Sequence, residues 1–109
     1  MKHLIIATCL VASSAHAEFF DGNKLLSYMN NTESVAYRSM AMGYVTGVFD
    51  ALHGIMHCPP PNVTTGQVND MVRNHLEINP STRHVAADGL VTKALSAAWP
   101  CAKKSGTNL

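Results

Sequence analysis

Residues 31–55, NTESVAYRSMAMGYVTGVFDALHGI, decide the fold. Val35, Tyr37, Ala41, Tyr44, Val45, Val48, Leu52 and Ile55 recur at helical spacing, which predicts one helix through the whole stretch with these residues on its core side. Asn30 followed three positions later by Glu33 resembles a capping box with Asn in place of Ser or Thr. Gly43, Gly47 and Ala51 stand four apart and form one smooth strip. Each glycine costs about 1 kcal/mol of helix propensity, so the pattern predicts close approach of another backbone or ring along that strip. Similar spacing marks helix pairs in membranes, but Arg38, Asp50 and their polar neighbours exclude a membrane span.

Working outward, a shorter helix over Gly22–Met29 places Leu25, Leu26 and Met29 on one side, with Phe19 and Phe20 packing back on the domain. After the long helix, Pro59-Pro60-Pro61 forces an extended connection, because each proline restricts the residue before it. A third helix starts in Val63–Gln67, with Thr64 to Gln67 as its capping box, and presents Val68, Met71, Val72, His75 or Leu76, and Ile78. Asn79-Pro80 stops it. Ser81 is the expected cap of a fourth helix, whose core stripe is Ala87, Leu90, Val91, Ala94, Leu95 and Ala98, and Pro100 ends it. No stretch combines strict alternation with β-branched enrichment. The expected fold is all-α, a small bundle of four main helices.

Ahead of the bundle, Met1-Lys2-His3, the apolar run Leu4–Val11 and Ala15-His16-Ala17 have the form of a cleavable secretory leader ending at residue 17. The apolar run is far below the roughly 20 residues that span a bilayer. Cys9 belongs to this leader, and Ile6-Ala7-Thr8 before it is a poor approach to a lipidated cysteine. Of the 109 residues, positions 18–109 remain as one domain of about 90 residues, enough for a single small core. The acids and bases of this part nearly cancel. No basic stripe or aromatic-basic interleaving supports nucleic acid as a partner.

Cys58 and Cys101 are the two cysteines outside the leader. In an oxidising compartment an even pair in a small domain reads as one bridge, closing a loop of about forty residues worth about 4 kcal/mol. It would tie the end of the second helix to the end of the fourth. The alternative is two free, buried thiols.

Candidate chemistry is thin. Asp50, His53 and His57 fall on one helix face and form a borderline-metal set, but no established metal motif accompanies them. His57 reads more simply as a helix-end residue near the carbonyl pole, where partial positive charge is favourable. A thiolate at Cys58 or Cys101 with His57 as base would require a free cysteine. Met40, Met42 and Met56 offer soft ligands for reduced copper, against the commoner use of methionine as core filler. Arg73, His75, Arg83 and His84, near the Asn79-Pro80 turn, either meet an acidic partner or form a solvated face. No cofactor motif is present.

Several longer blocks carry a resemblance: Gly43-Tyr44-Val45-x-Gly47-Val48-x-Asp50-Ala51, Cys58-Pro59-x-x-Asn62-Val63-Thr64-x-Gly66-Gln67, Leu76-x-x-Asn79-Pro80-x-x-Arg83, and Ala94-Leu95 followed by Trp99-Pro100-Cys101. Together the chain resembles the small periplasmic immunity proteins of the Rap/Tai type, which protect bacteria from cell-wall amidase effectors delivered by type VI secretion. The resemblance implies a helical domain with its cysteine pair bridged, often a homodimer, without catalysis of its own, that occludes the cleft of a peptidoglycan amidase with a projecting loop. Many relatives carry a second cysteine pair where this chain has Met29 and Ala41, so here the first helix is held by packing alone. The expected contact segments are Pro59, Pro60, Pro61, Asn62, Val63, Thr64 and Thr65 in one connection, and Asn79, Ser81 and Arg83 in another. Proline restricts both, so side chains are presented at low ordering cost. The rival reading is a non-catalytic envelope accessory protein, or a small-ligand binder, on the same scaffold.

Overall fold

A computed structural model describes residues 19–102. The leader assigned to residues 1–17 lies outside the described residues. Four helices follow in order: α1 (Gly22–Met29), α2 (Val35–Leu52), α3 (Thr65–Ile78) and α4 (Ala87–Ala98), with a short 3-10 turn at Pro80–Thr82. All four pack against one another. The core is a single cluster: Leu25, Leu26 and Met29 from α1, Ala41 and Val45 from α2, Val68, Val72 and Leu76 from α3, and Ala87, Leu90, Val91, Ala94 and Leu95 from α4. Met29 and Ala41 both lie in this cluster, so the end of α1 is held to α2 by apolar packing.

The start of α1 is held from two directions. The Asp21 carboxylate accepts the Lys24 backbone N–H at 2.7 Å, capping the helix. Gly22 and Asn23 then donate to the carbonyls of Val85 and Arg83, and Ala87 donates to the Phe20 carbonyl at 2.8 Å. The last bond satisfies a free N–H at the head of α4, whose N-cap, Ala86, has no side chain able to do so. A Cβ at Gly22 would lie 2.5 Å from the Leu90 methyl and 2.8 Å from the Arg83 carbonyl oxygen. Phe20 packs edge-on between Tyr28 and Tyr44, whereas Phe19 faces solvent.

Several sequence expectations are corrected. α2 begins at Val35, not Asn31, because Ser34 accepts from the Tyr37 N–H and acts as its cap. Asn30 instead caps the end of α1, and Asn31 accepts from the N–H groups of Glu33 and Ser34 in a tight turn. α2 ends at Leu52, so Ile55 is not helical. Val35, Tyr37 and Ile55 are exposed rather than core, as is Ile78 at the end of α3. Ser81 sits in the 3-10 turn and caps nothing, and Ala98 is exposed. The Thr64 hydroxyl does cap α3, accepting from the Gln67 N–H at 3.1 Å.

The strip Gly43, Gly47 and Ala51 faces outward. Among the described residues nothing lies within 4 Å of a Cβ built at Gly43 or Gly47, so no described element makes the expected close approach. With Met40 and Met42 also exposed, the outer surface of α2 is a smooth, largely apolar face. No described helix is long and apolar enough to cross a membrane.

Candidate functional site

The connection between α2 and α3 is irregular over residues 53–64 yet tied down at several points. Gly54 adopts φ 77°, a left-handed conformation suited to glycine, and turns the chain out of the helix. Its N–H donates to the His57 carbonyl at 2.8 Å, while Ile55 and Met56 both donate to the Leu52 carbonyl. That tight turn leaves Ile55 69% exposed and Met56 47% exposed. Cys58 follows immediately and is bridged to Cys101, with 4.7 Å between the two Cα atoms. The Cys58 N–H also donates to the Trp99 carbonyl at 2.8 Å. The chain then runs through exposed Pro60, Pro61 and Asn62, the last in a left-handed conformation at φ 71°.

His57 is the pin beneath this loop. Its side chain is fully buried and lies against Phe49, with ring centroids 4.8 Å apart and Trp99 edge-on to the same phenyl ring. Neither ring nitrogen makes a hydrogen bond among the described residues. Burial pushes the imidazole below its ordinary range, and a charge on nearby His53 would push the same way. The Phe49 carbonyl opposes both more weakly. The expected role at a helix end favouring positive charge is therefore reversed: His57 lies beyond α2 and its surroundings favour the neutral ring.

Val63, Thr64 and Thr65 meet Thr46, Phe49, Asp50 and Val68 around an open cleft of about 210 Å3. The segment expected from sequence, residues 59–65, thus carries a proline run and borders a cleft, and Ile55 and Met56, outside that expectation, precede it as an exposed apolar tip. Asn79, Ser81 and Arg83 do not join it. They lie at the other end of α3, a 14-residue helix about 20 Å long. There the Asn79 amide donates to the His75 carbonyl and the Arg83 carbonyl holds the start of α1. Of the three, only Ser81 is exposed.

Asp50, His53 and His57 do not come together as ligands. Among the described residues no group of three or more His, Cys, Asp or Glu side chains could hold a metal ion. Met40, Met42 and Met56 are surface residues, not core filler. With both cysteines in the bridge, neither supplies a thiolate. Sequence reasoning missed Ile55 as a surface anchor by continuing α2 to it with a core role, and Met56 by weighing it only as core filler or a soft metal ligand. The signal was present in Gly54, which ends the helical run before them.

Residues 21–101 match the family described as Rap1a immunity proteins. No curated protein matches the chain. The match covers most of the sequence, and the chain belongs to this family of non-catalytic immunity proteins.

Proposed function

We propose that this Rap1a-family chain is a periplasmic immunity protein that binds a peptidoglycan amidase effector and blocks its active site with the α2–α3 connection. The observation that supports this most is the loop itself. Ile55 and Met56 stand exposed at the tip of a segment fixed by the Cys58–Cys101 bridge, by buried His57 and by a run of three prolines. A loop already ordered before binding loses little conformational entropy on entering a cleft, and exposed apolar side chains at its tip supply desolvation energy there. Pro59, Pro60, Pro61, Asn62, Val63, Thr64 and Thr65 flank the tip and form the remainder of the contact surface.

The outer face of α2 belongs to a second copy of the chain. Gly43, Gly47 and Ala51 are exposed within the protomer, and the two glycines carry a propensity cost that close helix–helix approach in a homodimer would offset. The leader-like start of the sequence agrees with export to the periplasm, where the bridge would form and where cell-wall amidases act.

Affinity capture with the oxidised protein from a periplasmic extract of its host, read by mass spectrometry, tests the reading. Recovery of an amidase in stoichiometric amount is expected. Recovery of an envelope protein in its place overturns the inhibitory role.

A further inference from the structure

A second cleft, of about 250 Å3, opens between the first half of α2 and the middle of α3. Its walls are Met29, Val35 and Met42, and its polar groups are Arg38, Ser39, Asn69 and Arg73. No acid lines it. Asn69 is only 6% exposed, and its side-chain oxygen has no hydrogen-bond partner among the described residues. Leaving a buried acceptor unpaired is costly, so a position that keeps asparagine in the core next to a cleft needs a reason beyond packing.

The two arginines have donors to spare. Arg38 spends one Nη1 bond on the Asn31 carbonyl at 2.6 Å, and Arg73 spends one on the carboxylate of exposed Asp70 at 2.8 Å. A guanidinium carries five N–H donors in a planar fork that matches a carboxylate. The apolar walls suit the methylenes that carry such a carboxylate.

This cleft and the one beside the α2–α3 connection follow one another along the seam between α2 and α3. Val68 lines that cleft and Asn69 lines this one, while Met42 and Thr46 stand one helical turn apart on α2. From Asp50 back to Arg38 the groove runs roughly 18 Å along the helix, the reach of five or six extended residues.

We propose that the Arg38–Asn69–Arg73 cleft is a docking pocket for an acidic residue on an extended peptide segment of a protein partner. The side-chain carboxylate lies on the two guanidiniums, and rotation of the Asn69 amide brings its buried oxygen to a backbone N–H of the same segment. The pocket is independent of which enzyme, if any, the α2–α3 loop blocks.

A titration of the ¹⁵N-labelled, oxidised protein with N-acetyl-glutamate N-methylamide tests it without any effector present. Saturable shifts of the Arg38 and Arg73 Nε–H signals and of the Asn69 side-chain amide are expected, with a dissociation constant of about 1 mM for so small a probe. The glutamine counterpart should bind about tenfold weaker or less, and Arg73→Gln or Asn69→Leu should remove the response to the glutamate probe. If Arg38→Gln unfolds through loss of its Asn31 contact, Arg73→Gln still decides, since its pairing with Asp70 is a surface contact. Equal binding of both probes, or no saturable shift, overturns the pocket. Acetate binding as tightly as the glutamate probe overturns the peptide assignment and leaves only a generic anion site.

Discussion

The His57 imidazole packs against the Phe49 ring at 4.8 Å between centroids, fully buried beside the bridged Cys58 and without a hydrogen bond to either nitrogen among the described residues. Burial holds its folded-state pKa below the ordinary value of 6.5, and His75 is shifted the same way by burial and by Lys93. Lowered histidine pKa values mean that the unfolded chain binds more protons than the folded one once pH falls below about 6.5. Stability is therefore full above that point and declines as pH falls toward the folded-state values. Denaturant titrations across pH 5 to 8 should show this slope. His57→Phe should reduce the slope to the part that His75 contributes and raise stability at neutral pH by about 1 kcal/mol, because the unpaired ring nitrogens are removed.

The Cys58–Cys101 bridge closes a sequence separation of 43 residues. Replacing both cysteines by serine should lower unfolding free energy by about 4 kcal/mol, a large share of what a domain of this size has. Chemical denaturation of the oxidised and serine forms measures it. The loss should also loosen residues 53–64 first, seen as faster amide exchange at Gly54 and Cys58, whose N–H groups are held by His57 and Trp99 carbonyls.

Gly22 sits where α1 meets the segment leading into α4, and a Cβ there would press on Leu90 and on the Arg83 backbone. Gly22→Ala should cost about 2 kcal/mol despite the better helix propensity of alanine, since backbone cannot move aside as a side chain can. Thermal unfolding should report a drop of about 8–16 °C.

Gly43→Ala with Gly47→Ala separates the two uses of the α2 face. Within the protomer both positions are open, so the substitutions should stabilise the monomer by up to about 1 kcal/mol each. In a homodimer that seats its partner on the same strip, they should weaken association. Sedimentation velocity of wild type and variant reads the dimer, and urea unfolding reads the fold.

How far these features were legible in the sequence depended on whether local signals were complete. The extent of α1, the Thr64 cap, the stop at Asn79-Pro80 and the cysteine pairing each rested on local or covalent chemistry, and each is present. α2 was misjudged because its apolar residues surround the helix. Val35, Tyr37 and Met40 look like core residues in a one-dimensional pattern but face solvent here. Ala86 heads α4 without a capping side chain because the Phe20 carbonyl, far away in sequence, takes that role for Ala87. Asn69 was invisible for a similar reason: a polar residue amid an amphipathic helix reads as surface until tertiary packing buries it.

The central claim is that the α2–α3 loop tip blocks an amidase, and an inhibition titration of the cognate effector tests it most directly. Oxidised wild-type protein should abolish amidase activity at a one-to-one ratio. The variant carrying Ile55→Asp and Met56→Asp, folded and bridged as judged by circular dichroism and thiol assay, should need about 30-fold more protein or beyond, as expected on losing a desolvated anchor. Full effector activity in excess wild-type protein, or equal inhibition by wild type and variant, would contradict the account.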